Sequence, residues 1–143
     1  MNTEIEKEYE GCRLTAYRDS VGVLTIGYGH TKNVREGQTC TQDQADEWLI
    51  DDLHDALQFV GDAVTVPLTN NQLSALVDFV FNVGGRNFAG STLLKLLNEG
   101  NYDEVAEQFG RWNHAGGKIL VGLTRRRAAE AEMFKTPDAT GEA

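Results

Sequence analysis

Glu10-Gly11-Cys12-Arg13-Leu14-Thr15-Ala16-Tyr17-Arg18-Asp19, running on to Thr25-Ile26-Gly27-Tyr28-Gly29-His30-Thr31, is the stretch on which the fold and chemistry of this 143-residue chain turn. Ahead of it, residues 3–10 read as a helix with Thr3 as N-cap and Glu6 completing a capping box, so that Glu10 ends the helix. Residues 13–35 then change character. Their Gly, Thr and aromatic content is that of a small antiparallel sheet with tight turns. Asp19 falls in a turn, and Thr25 opens a strand that closes on Gly-Tyr-Gly-His.

From Thr41 the period is helical. Thr41 and Gln44 form a second capping box, followed by Ala45, Trp48, Leu49, Leu53, Ala56, Leu57 and Val60 at a spacing of three to four, the stripe of a core-facing helix. Gly61 to Leu68 connects. A third box, Thr69 to Gln72, opens a helix through Leu73, Leu76, Val77 and Val80 that Gly84-Gly85 stops. Further helices are predicted near 91–98, ended by Gly100; near 102–112, capped by Asn101 with Glu104; and near 124–135, capped by Thr124. The tail from Pro137 reads as frayed. The expected fold class is α+β and mostly helical, a single two-lobed domain over residues 1–143. Its β-containing lobe spans about 11–40, its linking helix about 41–61 and its helical lobe about 62–136, with helix 3–10 packed near a ligand cleft between the lobes.

Composition bounds the function. A chain this long buries roughly 68–70% of its unfolded surface, so its core requires neither metal nor disulfide. The apolar run Leu76 to Phe81 is broken by Asp78 and falls far short of the ~20 residues of a membrane span. The acidic start has no basic n-region of a signal peptide. The net charge is −9, and residues 1–60 carry 12 acids against 5 bases while residues 61–143 carry 10 against 8. Such a chain is a poor nucleic-acid binder, because affinity for phosphates comes from clustered Lys and Arg. The Arg125-Arg126-Arg127 run reads as a solvated helix face.

No metal or cofactor is expected. Cys12 and Cys40 fit no zinc spacing, and His30, His54 and His114 are scattered. The two thiols are either free in a reducing compartment or joined after release into an oxidising one; the residues leave both open. Gly27-Tyr28-Gly29 lacks the third glycine of a dinucleotide fingerprint, and Gly117-Lys118 lacks the Ser or Thr of a phosphate loop. Ser91 sits in no nucleophile motif.

The opening stretch does offer chemistry. Splitting a glycosidic bond needs a protonated acid at the leaving oxygen and a second carboxylate on the other face. Glu10 meets the negative end of its helix dipole with Glu6 and Glu8 nearby, and both effects disfavour its ionised form. Asp19, between Arg18 and Ser20, ionises more readily, and two carboxylates in environments that separate their pKa values make an acid–base pair. The Thr25 hydroxyl can donate and accept at once, which suits holding a water. Gly22, Gly27 and Gly29 allow backbone to approach a flat sugar. The competing reading is structural: a Glu at a helix end and an Asp in a turn are commonplace, and Thr is a good strand former.

Glu10-Gly-x-Arg-Leu-x-x-Tyr17-x-Asp19, then Val23-x-Thr25-Ile26-Gly27-Tyr28-Gly29-His30-Thr31, resembles the active-site signature of glycoside hydrolase family 24, the phage-type lysozymes. Phe79-Val80-Phe81-Asn82-Val83-Gly84, Phe88-x-x-Ser91-Thr92-Leu93-Leu94, Trp112-x-x-Ala115-Gly116-Gly117-Lys118 and Gly122-Leu123-Thr124-Arg125-Arg126 resemble its lambdoid-phage endolysin branch, so the likeness covers roughly residues 4–135. The resemblance implies a lysozyme-like fold and a muramidase that hydrolyses, with inversion, the β-1,4 bond between N-acetylmuramic acid and N-acetylglucosamine in peptidoglycan. It implies Glu10 as general acid, Asp19 and Thr25 on the attacking water, Phe81 and Ser91 at the sugars, and His30 in a structural role. It also implies a monomer without cofactor, made in the host cytoplasm, released through a holin and acting on the wall at lysis. A membrane leader ahead of these residues is the alternative route. Two rivals for the activity are a lytic transglycosylase on the same bond and a wall-binding protein without turnover.

Overall fold

The computed structural model describes residues 1–138, and the chain divides into two compact units, Glu6–Asp55 and Met1–Ile5 together with the chain from Ala56 onward. Helices α1 (Glu4–Glu10) and α2 (Gln42–Ala63) each run from one unit into the other.

In the Glu6–Asp55 unit, α1 ends at Glu10 as its sequence predicts, and Gly11 turns the chain with φ +68°, its N–H donating to the Lys7 carbonyl at 3.2 Å. At the other end, Asn2 Oδ1 accepts from the Glu4 N–H at 2.9 Å, so a cap comes from one residue before the expected Thr3. Strands β1 (Arg13–Arg18) and β2 (Leu24–Gly27) pair antiparallel, with Tyr17 opposite Thr25 and Arg18 opposite Leu24. The segment before α2 returns along the other edge of β1: Ala16 N–H donates to the Gln38 carbonyl and Cys40 N–H to the Leu14 carbonyl. Cys12 and Cys40 are both free thiols. Burial pushes the Cys40 thiol up from its ordinary value, and the nearby Cys12 adds to the effect.

The Thr41–Gln44 box is formed, each side chain accepting the other residue's N–H at 3.1 and 3.2 Å. Ala45, Leu49 and Leu53 are buried on the apolar stripe of α2, and Ile26 of β2 is wholly buried. Helix and hairpin approach closely because Gly27 has no side chain. A Cβ there would stand 3.3 Å from that of Ala45.

In the other unit, α3 (Asn70–Val83) carries the Thr69–Gln72 capping box as expected. Its first turn has a further partner: the Asp138 carboxylate accepts from the Asn70 and Asn71 N–H groups at 2.9 and 2.8 Å, and Asn71 Nδ2 donates to the Thr136 and Pro137 carbonyls. An anion on a helix N-terminus is stabilising, so the tail predicted to fray from Pro137 is tied down through Asp138; the rest of that segment lies outside the described residues. Gly84, with φ +92°, ends α3, but the chain does not leave helix for long: α4 (Gly85–Ala89) follows at once. Ser91 caps α5 (Thr92–Asn98).

Helix α6 (Tyr102–Phe109) ends at Gly110, short of the predicted 112, and Asn101 makes no side-chain cap bond to it. The segment after it contains a hairpin, β3 (His114–Ala115) and β4 (Lys118–Ile119), turned by Gly116 and Gly117 with φ +58° and +78°. Two successive positive φ values are what a tight antiparallel turn requires. Helix α7 (Val121–Lys135) starts before the predicted 124–135, and Thr124 is not its cap. Thr124 Oγ1 instead donates to the Leu120 carbonyl and accepts from Asn113 Nδ2.

The core of this unit forms around α3. Phe79 is wholly buried and meets Phe88, Phe109 and Trp112 edge to face at 6.2, 5.4 and 5.7 Å. The arginine run corrects its sequence reading: Arg125 is exposed, but Arg126 and Arg127 are buried. Arg126 grips the buried Asp78 with two bonds, Nε to Oδ2 at 3.0 Å and Nη2 to Oδ1 at 2.7 Å. Arg127 pairs with Glu130, donates from Nη2 to Asn82 Oδ1 at 2.8 Å, and lies over the Phe79 ring. A guanidinium enters a core only with such partners. They lie 45 and 48 residues upstream and one turn downstream, where a reading of the run alone does not look.

Candidate active site

The Glu6–Asp55 unit holds Glu10, Asp19 and Thr25. Asp19 occupies the turn between β1 and β2, as predicted, and the turn is built on its carboxylate. Oδ1 accepts from the Val21 and Val23 N–H groups, each at 2.9 Å, while the Asp19 N–H donates to the Val23 carbonyl at 2.9 Å. With Oδ1 anchored, the orientation of Oδ2 is set by the turn. Thr25 is buried, and its Oγ1 donates to the same Val23 carbonyl at 2.9 Å. The hydroxyl proton is therefore committed, which leaves the oxygen only its lone pairs to offer, as an acceptor. Val23 is the node that links Asp19 to Thr25.

Arg18 braces this turn from outside. Its Nη1 donates to the Gly22 carbonyl at 2.9 Å and its Nη2 to Glu36 Oε2 at 2.9 Å. Gly22 adopts φ +90° with open space where a side chain would be.

Glu10 is placed by a second turn. Ile26 and His30 exchange both backbone hydrogen bonds at 2.9 Å, closing a tight loop whose Gly29 has φ +75°. A Cβ on Gly29 would lie 2.8 Å from Glu10 Oε1. The Glu10 carboxylate thus occupies the space that the sequence reading left open for a sugar at Gly29, as Ala45 and Trp48 occupy that at Gly27. Gly22 alone of the three keeps its open side.

His30 secures the loop. It is buried, stacks on Trp48 with ring centroids 4.6 Å apart, and shares a 2.8 Å hydrogen bond from Nδ1 to Asp52 Oδ2. Lys32 reaches the other Asp52 oxygen at 3.8 Å. Phe81 and Ser91 lie in the other unit. Phe81 is half-buried on α3. Ser91 is buried, its hydroxyl donating to the Phe88 carbonyl at 2.7 Å and accepting from the Leu94 N–H at 3.1 Å, a capping duty its sequence context had not been assigned.

The sequence shows Arg18 only as a charge beside Asp19, and shows nothing of Val23, Trp48 and Asp52 as residues that shape the site. Val23 acts through its backbone and Asp52 acts across 22 residues, and neither leaves a local pattern.

A hairpin with a carboxylate in its turn, a preceding helix that ends on a glutamate, and a separate helical unit define a lysozyme-type glycosidase. Residues 7–130 match the family model described as phage lysozyme. The chain belongs to the phage lysozyme family, and it is a glycoside hydrolase, as its opening motifs implied. It is 42% identical over 134 residues to the endolysin of Acyrthosiphon pisum secondary endosymbiont phage 1, covering 91% of this chain and 92% of that one. The endolysin of Salmonella phage P22 is also 42% identical over 134 residues, with 90% and 91% covered. Among solved structures, the muramidase domain of SpmX from Asticaccaulis excentricus aligns with a TM-score of 0.88 at 40% identity, over 94% of this chain and 95% of that one.

Proposed function

We propose that this chain is a phage or prophage endolysin that hydrolyses the β-1,4 bond between N-acetylmuramic acid and N-acetylglucosamine in peptidoglycan, with inversion at the anomeric carbon. The observation that carries the mechanism is the Val23 node, which gives a carboxylate and a hydroxyl a common backbone anchor. Glu10 gives its proton to the leaving oxygen as the glycosidic bond breaks. A water held between Asp19 Oδ2 and the Thr25 lone pairs attacks the anomeric carbon and passes its proton to Asp19. Inversion by this route needs the two carboxyl groups about 6.5–9.5 Å apart. Phe81 offers an apolar ring to a sugar face, and Ser91 keeps one acceptor lone pair beyond its cap. His30 shapes the site without touching substrate. The enzyme works as a monomer, without cofactor, and meets the wall when lysis releases it from the host cytoplasm through a holin. The excess of acids makes binding to an anionic wall sensitive to salt.

Mass spectrometry of fragments released from purified Gram-negative peptidoglycan tests the reading. Reducing muramic-acid ends are expected; 1,6-anhydro ends would make the protein a lytic transglycosylase, and no fragments would leave a wall-binding protein. Glu10→Gln and Asp19→Asn should each hold the fold and leave at most about 1% of the turnover, given that general acid–base terms contribute about 10²–10⁴-fold. Full turnover in Asp19→Asn would remove the water-activating role, and full turnover in Glu10→Gln would remove the acid.

A further inference from the structure

We infer that Gly29 is a positioning residue for the Glu10 carboxylate, and that its missing side chain is part of the catalytic geometry. The inference rests on the reading of Glu10 as the acid. A Cβ at Gly29 would stand 2.8 Å from Glu10 Oε1, 3.5 Å from its Cδ and 4.0 Å from its Cγ. Real Cβ atoms do not approach an oxygen that closely, so one side must yield.

The loop is the side that stays. Its ends are tied by the paired Ile26–His30 backbone bonds, Ile26 is wholly buried, and His30 is pinned between Trp48 and Asp52. The atom that the Cβ meets is the far end of the Glu10 side chain, which has three rotatable bonds and an interaction of its own that a shift would disturb, and it yields before tied backbone does. A methyl group at Gly29 therefore costs reaction geometry more than it costs folding. A displacement of about 1 Å at a reacting group is worth about 10²-fold in rate. Gly29 also has φ +75°, a conformation that strains any other residue. That effect is separable, because Gly37 has the same φ of +75° with nothing within 4 Å of its missing Cβ.

The test compares Gly29→Ala with Gly37→Ala in thermal stability and in kinetics on soluble peptidoglycan fragments. Both variants should lose similar stability. Only Gly29→Ala should lose kcat, by about 10²-fold with little change in KM, since the displaced group acts in the transition state. A Glu10→Asp background sharpens the result. The shorter side chain withdraws from Gly29, so Gly29→Ala added to Glu10→Asp should cost no further activity. Wild-type kcat in Gly29→Ala, or losses that simply multiply in the double variant, would overturn the inference. Activity surviving in Glu10→Gln would instead overturn the reading it rests on, so the two failures are distinguishable.

Discussion

The two units of this protein are held together by different physics. In Glu6–Asp55 the wholly buried apolar side chains are few, Ile26, Ala45, Leu49 and Leu53 among them, and shape comes from directional bonds: three at Val23, two between Ile26 and His30, and the Arg18 brace. Each such bond contributes about 0.5–1.5 kcal/mol and holds only in a narrow geometry. From Ala56 onward, packing dominates. Phe79, Phe88, Leu93, Leu97, Val105 and Phe109 are wholly buried, and each buried arginine lies against an acidic side chain. The contrast teaches where precision resides. On the proposed mechanism, the carboxylates that meet reacting atoms are aimed by backbone hydrogen bonds and by a missing Cβ, while apolar packing chiefly supplies stability.

The sharpest way to break this contrast is Phe79→Ala. Removing a wholly buried ring that meets three aromatic neighbours should cost about 3–5 kcal/mol in denaturant unfolding. Turnover per folded molecule should survive. A cost below about 1 kcal/mol would mean that the aromatic cluster is not what stabilises its unit.

A second experiment exploits the buried charges. Burial pushes the Glu130 carboxyl well above the usual carboxylate range; its hydrogen bond to Asp78 and the Asp78 charge add to this, and Arg127 and Arg126 oppose it. The folded protein therefore keeps a proton that the unfolded chain releases above pH about 4.3. The contribution of Glu130 is complete below that pH and is lost as pH rises toward the folded value. Glu130→Gln, neutral at every pH, should therefore gain on wild type between pH 4 and 7, by at most about 1.4 kcal/mol per pH unit. A pH-independent difference in unfolding free energy would show that Glu130 is ionised in the fold.

The smallest expected change in stability belongs to Arg18→Ala. Its ion pair with Glu36 is largely exposed, and such pairs contribute about 0–1 kcal/mol. Unfolding should barely shift, yet kcat should fall severalfold because the turn that aims Asp19 loses its hold on the Gly22 carbonyl. Glu36→Ala, which keeps that hold, should be nearly silent in both assays. Equal behaviour of the two variants would assign Arg18 to the ion pair alone.

Much of this architecture was legible along the chain. The Thr41–Gln44 and Thr69–Gln72 boxes, the stripe on α2, the end of α1 at Glu10 and the places of Asp19 and Thr25 all follow from residues within a few positions of one another. The β3–β4 hairpin shows only its turn, Gly116-Gly117, because strands of two residues each are too short to carry a period. The buried pair Arg126 and Arg127 was not legible. Three consecutive arginines look solvated until Asp78, Asn82 and Glu130 are known to face them. Nor was the Asp138 cap on α3, whose partners are separated by 67 and 68 residues.

By itself, then, the sequence determined the local hydrogen-bond closures, the order of helices and strands, and the motif that sets two carboxylates and a hydroxyl around glycine turns. These depend on interactions between near neighbours, whose geometry the covalent chain dictates. Only the tertiary structure decided which arginines are buried, what caps α3, and that the vacancy at Gly29 is filled by Glu10 rather than left to a ligand. Burial and occupancy are sums over elements distant in the chain, and no local window contains the atoms that set them.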